Sequence, residues 1–175
     1  MNVLIDRMIR AARLDVNLYE EVEADQNATR QAMTVVILSS VAAGVATMAT
    51  GGVAGILLGT VGALLGWLAW AYLTYLIGTR LLAEPQTKAD VGELLRTLGF
   101  ASSPGVIRIV GVIPALTALS FLVAGVWTLV TMVVAVRQAL DYTSAGRAIG
   151  VCAIGFFVQV IILMLLFVAL GVPEA

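Results

Sequence analysis

Three long stretches of this sequence contain no Asp, Glu, Lys or Arg: residues 31–79, 109–136 and 148–173. Each is longer than the roughly 20 apolar residues that an α-helix needs to cross about 30 Å of hydrocarbon. Apolar residues make up 61% of the chain and charged residues 12%, against about 45–50% and about 25% in soluble domains. One small core cannot bury this excess, so the sequence predicts an all-α integral membrane protein.

The first charge-free run is too long for a single crossing and divides near the tripeptide Thr50-Gly51-Gly52. Glycine relaxes the backbone enough for a tight turn. We therefore expect a helical hairpin. Its first span covers about residues 34–50, and its second span covers about residues 53–77.

Small residues recur along the second span of this hairpin at helical spacing. Four of them fall on one stripe of the helix: Gly55, Gly59, Gly62 and Gly66. Small side chains let two helix backbones approach closely, which is how helices associate where lipid removes the hydrophobic driving force. The stripe therefore predicts a packing face, either against another span or against a second protein.

The run at residues 109–136 decides the number of spans, because it fits either one tilted helix or the halves of two. If it crosses once, the protein has four spans, and two Arg residues lie opposite the other basic residues. If residues 94–113 cross first and residues 115–136 cross back, there are five spans, the last over residues 148–171.

Counting the basic residues separates these arrangements. Five spans place nine basic residues on one face of the membrane: Arg7, Arg10, Arg13, Arg30, Arg80, Lys88, Arg96, Arg137 and Arg147. The positive-inside rule prefers that outcome. We predict a multi-pass protein of the cell membrane with its N-terminus in the cytoplasm and its C-terminus outside.

The third span contains Ser102, Ser103, Pro104 and Gly105 and should be broken near Ser103-Pro104. Proline lacks a backbone donor and clashes with the preceding turn. We expect two short helices, at residues 90–101 and 105–113, the first opened by a capping box of Asp90 and Glu93. Neighbouring helices should satisfy the freed backbone groups.

Residues 1–30 form a separate cytoplasmic or interfacial segment ahead of a membrane domain at residues 31–175. Residues 4–13 separate into an apolar arc and a charged arc on a helical wheel. This predicts an amphipathic helix in the headgroup layer, with Arg7, Arg10 and Arg13 toward anionic lipid. The alternative is a helix packed on the protein's own loops. The acidic run that follows is interpreted as a solvated face.

Two polar residues stand out within the spans, Arg108 and Gln159. An Arg at mid-membrane costs about 2.5–3.5 kcal/mol on insertion scales. Arg108 should therefore snorkel, find a partner such as Glu93 or Asp141, or serve as a binding charge in a polar pocket. Gln159 fits an interhelical hydrogen bond or a polar path.

The sequence offers little for catalysis. It has no His and one Cys, which excludes the usual zinc sites and a Cys/His pair. No GxGxxG, P-loop, HExxH or GxSxG pattern occurs. We predict no enzyme activity, no catalytic residue, no cofactor, no metal and no nucleic-acid partner.

Several blocks of the chain carry a recognisable pattern: residues 78–82 (GTRLL), 93–105 (ELLRTLGFASSPG), 110–114 (VGVIP) and 136–149, with the segments 4–11 and 27–32. Together they resemble the Yip domain family (Ypt-interacting proteins), in its prokaryotic form. The resemblance implies a five-span α-helical domain with a cytoplasmic N-terminus.

Eukaryotic members of that family are membrane-trafficking proteins that associate with Rab-type GTPases and reticulon-like partners and help shape membranes. This sequence lacks their long cytosolic N-terminal region and their Asp-Leu-Tyr-Gly-Pro motif, so GTPase binding is not carried over. The leading hypothesis is a non-enzymatic protein that organises membrane or partner proteins through helix and lipid contacts, including contacts within a homo-oligomer. The alternatives are a small permease or channel subunit with a polar path, and an accessory subunit of a larger membrane complex.

Overall fold

A computed structural model describes residues 2–169 of the chain, and that part is helical without strands. Its α-helices are α1 Val3–Ala12, α2 Val16–Ala24, α3 Ala28–Ala46, α4 Met48–Leu76, α5 Val91–Ala101, α6 Thr117–Ala139 and α7 Ala145–Ala169. A π-helical turn, Ile77–Leu81, extends α4, and 3-10 helices at Ser103–Val112 and Pro114–Leu116 connect α5 to α6.

Four helical segments in the described part are long and apolar enough to cross a membrane: Ala28–Ala46, Met48–Leu81, Pro114–Ala139 and Ala145–Ile162. Their outer faces carry large apolar side chains, and Leu57, Leu58 and Leu65 on α4 are each more than 60% exposed. The described part is therefore all-α, with four helices that could cross a membrane. The end of the predicted fifth span, at residues 170–171, and the C-terminus lie outside the described residues.

The predicted first hairpin is present. Helix α3 ends at Ala46, and the chain reverses through a segment in which Gly52 has a φ of 58°. That left-handed conformation favours glycine. The two arms then approach closely, because a Cβ on Gly44 would lie 2.9 Å from Cγ1 of Ile56. Here the small residue that brings the helices together is on α3.

The predicted break after α5 is also confirmed. Asp90 accepts a hydrogen bond from the Glu93 amide while the Glu93 carboxylate accepts one from the Asp90 amide, so the capping box opens α5. Helix α5 stops at Ala101, and Pro104 stands at the start of the 3-10 helix Ser103–Val112. This 3-10 helix packs between α3 and α6.

The helices run further than the apolar stretches from which they were predicted. Helix α3 begins six residues before the expected start at residue 34, and α6 continues through Arg137 to Ala139. Charged residues are compatible with an α-helix once it leaves the hydrocarbon, since caps and turns end a helix rather than polarity alone. The apolar runs therefore located the spans without setting their ends.

The tightest core lies at one end of the bundle. Its largest fully buried side chains include Leu18 and Tyr19 on α2 and Leu94, Leu98 and Phe100 on α5. Helices α1 and α2 thus pack onto α5 and α6 and form a cap over that end, which we call the N-terminal cap (residues 3–24).

Candidate functional site

A cavity of about 640 Å³, open to the surroundings, lies between α3, α4, α6, α7 and the 3-10 helix, and we call it the central cavity. Its wall is mostly apolar and includes Trp67, Trp70, Phe121, Met132 and Phe156. The predicted intramembrane polar residues, Arg108 and Gln159, both line it. Two residues separated by 51 positions in the sequence are therefore brought to one site.

Arg108 projects from the 3-10 helix and is partly buried. Its Nη1 lies 3.5 Å from the hydroxyl of Ser39 on α3, and its Cζ lies 5.7 Å from the ring centroid of Phe121 on α6. A cation over an aromatic face is stabilised by the ring quadrupole. The expected carboxylate partners are wrong, because no ion pair joins Arg108 to Glu93 or Asp141 within residues 2–169.

Glycine at position 105 is required for this placement of Arg108. A Cβ on Gly105 would lie 1.8 Å from the Ser39 hydroxyl oxygen and 2.8 Å from Nη1 of Arg108. Any side chain there would push the guanidinium and the serine apart. The glycine of the predicted helix break therefore positions the one cation of the cavity wall, a role that the Ser-Ser-Pro-Gly pattern did not reveal.

Two polar atoms of cavity-lining residues have no hydrogen-bond partner in the described part of the chain. They are Oε1 of Gln159 on α7 and Nε1 of Trp70 on α4, and both are buried. A buried polar group left unpaired costs about 1–3 kcal/mol. The interhelical hydrogen bond expected for Gln159 is absent at this oxygen. Both atoms lie below the accessible surface, so Arg108 is the charged group that the described cavity wall offers to a ligand.

The glycine stripe of α4 faces open space. Gly55, Gly59 and Gly66 line the central cavity, whereas Gly62 does not. Apart from the adjacent residues and the backbone of α4 itself, no described heavy atom lies within 4 Å of the position that a Cβ would take on any of the four. Within the described chain the stripe is therefore not a close helix contact. Its packing against a second protein stays a prediction.

Other glycines make the close contacts that the stripe was expected to make. A Cβ would come within 3.0 Å of another residue at Gly44, Gly78, Gly99, Gly105 and Gly111. These glycines are isolated in the sequence rather than spaced along a helix. Spacing alone therefore missed them, because each contact depends on which element packs opposite.

The N-terminal cap is held by ion pairs. Arg7 donates to the carboxylates of Glu21 at 2.9 Å and Asp25 at 3.0 Å, and to the Gln31 amide oxygen at 2.9 Å. Only 9% of the Arg7 side chain is exposed. The sequence predicts that Arg7, on the charged arc of α1, faces anionic lipid. In the structure Arg7 pairs with Glu21 and Asp25 instead.

A second arginine of α1 joins the same cluster. Arg10 pairs with Asp15 at 2.8 Å and with Glu21 at 2.6 Å. The Arg10 guanidinium holds the pKa of Asp15 and of Glu21 below the usual carboxyl range, and Arg7 does the same for Asp25. The acidic run is therefore partly a pairing partner for α1 and not only a solvated face. Arg13, the third predicted lipid residue, is exposed.

The apolar arc of α1 divides between protein and surroundings. Leu4 and Met8 pack against the core, and Ala11 is fully buried. Ile5 and Ile9 remain 50% and 39% exposed. One flank of α1 therefore packs on the protein and the other is exposed, and its contact with lipid stays a prediction.

The remaining loops at the capped end are also tied together. Arg147 pairs with Glu84 at 3.1 Å, and the hydroxyl of Tyr142 donates to the Gly78 carbonyl at 2.9 Å. The hydrogen bond that the Thr143 amide donates to the Glu84 carboxylate is the main cause that lowers the pKa of Glu84 below its ordinary value. No sequence pattern marks Glu84, because it lies in an irregular loop without periodicity.

Comparison with known proteins supplies the family. The Yip1 domain matches residues 19–167, which run from within α2 into α7. The chain belongs to the Yip1 domain family. Yip1 domain proteins are non-catalytic membrane proteins. The cavity, Arg108 and Gln159 lie inside the matched Yip1 region, whereas α1 precedes it. No curated relative and no solved structure matches the chain.

Proposed function

We propose that this Yip1 domain protein is a non-enzymatic protein of the cell membrane that crosses the bilayer five times and organises membrane or partner proteins through lipid and helix contacts. The observation that carries the proposal is the separation of charge between the two ends of the bundle. Contacts among the cap and the loops gather the charged residues at one end. The turns at residues 47–52 and 113–116, at the other end, contain none.

The length of the third segment supports a fifth crossing. Helix α5 has 11 residues and the following 3-10 helix has 10. At about 1.5 Å and about 2.0 Å per residue, they span about 36 Å, which exceeds the roughly 30 Å of hydrocarbon. With this crossing, the capped end carries nine of the ten basic residues and faces the cytoplasm by the positive-inside rule.

Cysteine labelling tests the crossing number and orientation. In a Cys152→Ala background, an impermeant thiol reagent is added to intact cells that carry one new cysteine, at Thr50 or at Thr143. Five crossings predict labelling of Thr50→Cys only, because the α6–α7 loop is then cytoplasmic. Labelling of Thr143→Cys in intact cells would support four crossings. Lysed cells, in which both new cysteines should react, are the control. If neither cysteine reacts there, the two turns are not exposed.

The organising role depends on contacts with lipid or with other proteins. Gly62 offers the sharpest test of protein contact, because it is exposed, belongs to the stripe and does not line the cavity. Gly62→Leu should reduce cross-linked oligomers in membranes, whereas Gly125→Leu, on α6 and equally open, should not. Equal cross-linking in both variants and the unmodified protein would remove the stripe from the proposal.

A second candidate is a small permease or channel subunit, which the polar groups of the central cavity favour. Broken helices near the midplane form binding sites in several transporter folds. Reconstituted protein would then conduct ions or solutes, and Arg108→Ala would abolish the flux. Vesicles that show no flux for either protein would exclude this role and leave the organising role.

A further inference from the structure

The shape of the central cavity is the first part of a further inference. At about 640 Å³ it falls within the size range of ligand sites. On the α4 side its wall is formed by Gly55, Gly59, Ala63 and Gly66, which have almost no side chain, and at one end by Trp67 and Trp70. A smooth apolar wall of this kind fits a hydrocarbon chain, and it is poorly suited to a cluster of water molecules, which need several polar partners each.

The charge of the cavity is the second part. Arg108 contacts Ser39 and Phe121, both of them uncharged, and no described carboxylate pairs with it. The described ion pairs, which are those of Arg7, Arg10 and Arg147, all lie at the capped end. The cavity therefore has a cation whose complement is an anion from outside the chain.

From these two features we infer that the central cavity binds an anionic membrane phospholipid, with an acyl chain against the small residues of α4 and the phosphate on Arg108. The inference rests on the proposed placement of the bundle in a membrane. It adds a defined ligand class and named binding residues to the proposed organising role.

Lipid retention measured on the full-length protein tests this inference. Protein reconstituted with equal amounts of phosphatidylglycerol and phosphatidylcholine is purified in detergent, and the bound lipid is measured by native mass spectrometry. We expect one retained phosphatidylglycerol per chain in preference to phosphatidylcholine. Equal retention of the two lipids, or of neither, would overturn the inference.

Matched variants locate the site. Arg108→Gln should lower phosphatidylglycerol retention about tenfold, the effect of losing one charge-assisted hydrogen bond. Gly59→Leu should lower it as well, because the new side chain enters the cavity. Arg80→Gln removes an exposed cation elsewhere, and Gly62→Leu alters the same helix outside the cavity. Both controls should retain lipid, and an equal loss in a control would overturn the assignment.

Two further arms keep the result interpretable. If Arg108→Gln fails to fold, Gly59→Leu still tests occupation of the cavity, and unchanged retention in it would overturn the inference. Retention of oleate without phosphatidylglycerol would replace the phospholipid with a free fatty acid and overturn the stated ligand. Cysteine labelling does not depend on lipid retention. A wrong prediction of five crossings can therefore be distinguished from a wrong assignment of the lipid site.

Discussion

The hydroxyl of Thr131 on α6 donates a 2.6 Å hydrogen bond to the carbonyl oxygen of Ala101, the last residue of α5. A helix that ends inside a membrane leaves its last carbonyls without intrahelical partners. Side chains of neighbouring elements satisfy them here, as Thr117 also does for the Gly111 carbonyl at 2.7 Å. The broken third segment is therefore compatible with a nonpolar environment.

Thr131→Val should lower the free energy of unfolding by about 1–3 kcal/mol, because it leaves the buried Ala101 carbonyl unpaired. Thr128 provides the control, since its buried hydroxyl oxygen has no hydrogen-bond partner in the described part of the chain. Thr128→Val should be neutral or stabilising. Unfolding in detergent, followed by circular dichroism, measures both. Equal effects would contradict the role given to Thr131.

Gly99→Ala should destabilise the protein by about 1–3 kcal/mol through overpacking. The new Cβ would lie 2.6 Å from the Cβ of Ala32 and 3.1 Å from its backbone, which cannot move as a side chain does. Gly62→Ala meets open space and should be neutral or stabilise α4 by up to about 1 kcal/mol. Thermal unfolding of the two variants compares them directly, and a larger loss at Gly62 would show that the stripe is the tighter contact.

Arg96→Met should release α2 from the bundle. The Arg96 guanidinium is almost fully buried and donates to the carbonyls of Val22 and Glu23, at the end of α2. We expect a loss of about 1.5–3 kcal/mol, the usual range for hydrogen bonds to a charged group. Hydrogen exchange of the α2 amides should accelerate. Arg80→Met, at an exposed site, should leave that exchange unchanged.

Stability should also depend on pH through Glu23. Desolvation, then repulsion from Glu93, Asp141 and Glu20, raises its pKa from 4.5 to about 7, while Arg96 acts in the opposite direction. Because folding raises this pKa, the contribution to stability is complete below about pH 4.5 and is lost as the pH rises through about 7.

Glu23→Gln should therefore stabilise the protein at about pH 8 and have little effect at about pH 5. We expect about 1 kcal/mol at the higher pH, reduced because the group is partly solvated. Melting temperatures of both proteins across this range provide the measurement. Asp6→Asn, on α1 and not among the groups that act on Glu23, is the control. An effect of Glu23→Gln that is independent of pH would contradict the raised pKa.

Features that depend on adjacent residues could be predicted from the sequence. The capping box at Asp90 and Glu93 and the helix break at Pro104 each follow from a few consecutive residues, because the backbone conformation there is set locally. The turn near Gly52 follows for the same reason. The charge-free runs located the helices, since crossing hydrocarbon requires a minimum apolar length.

The surroundings of individual side chains could not be predicted in the same way. Arg7 lies on the polar arc of α1, and only the placement of α2 against that arc makes it buried and paired. The glycine stripe is visible in the sequence, yet whether Gly59 faces a helix, a cavity or lipid depends on how far α7 and α3 stand from α4. Arg108 and Gln159 were singled out as polar residues, but their shared cavity is a property of the packed bundle.

The 3-10 helix at Ser103–Val112 has a mechanical consequence for the molecule. Its ten residues rise about 2.0 Å each, against about 1.5 Å in an α-helix. Rewinding them into α-helical form would shorten the segment by about 5 Å. Such a contraction would draw the loop at Pro114 inward and turn Arg108 around the axis of its helix, so the stretched winding keeps that arginine aimed at the cavity.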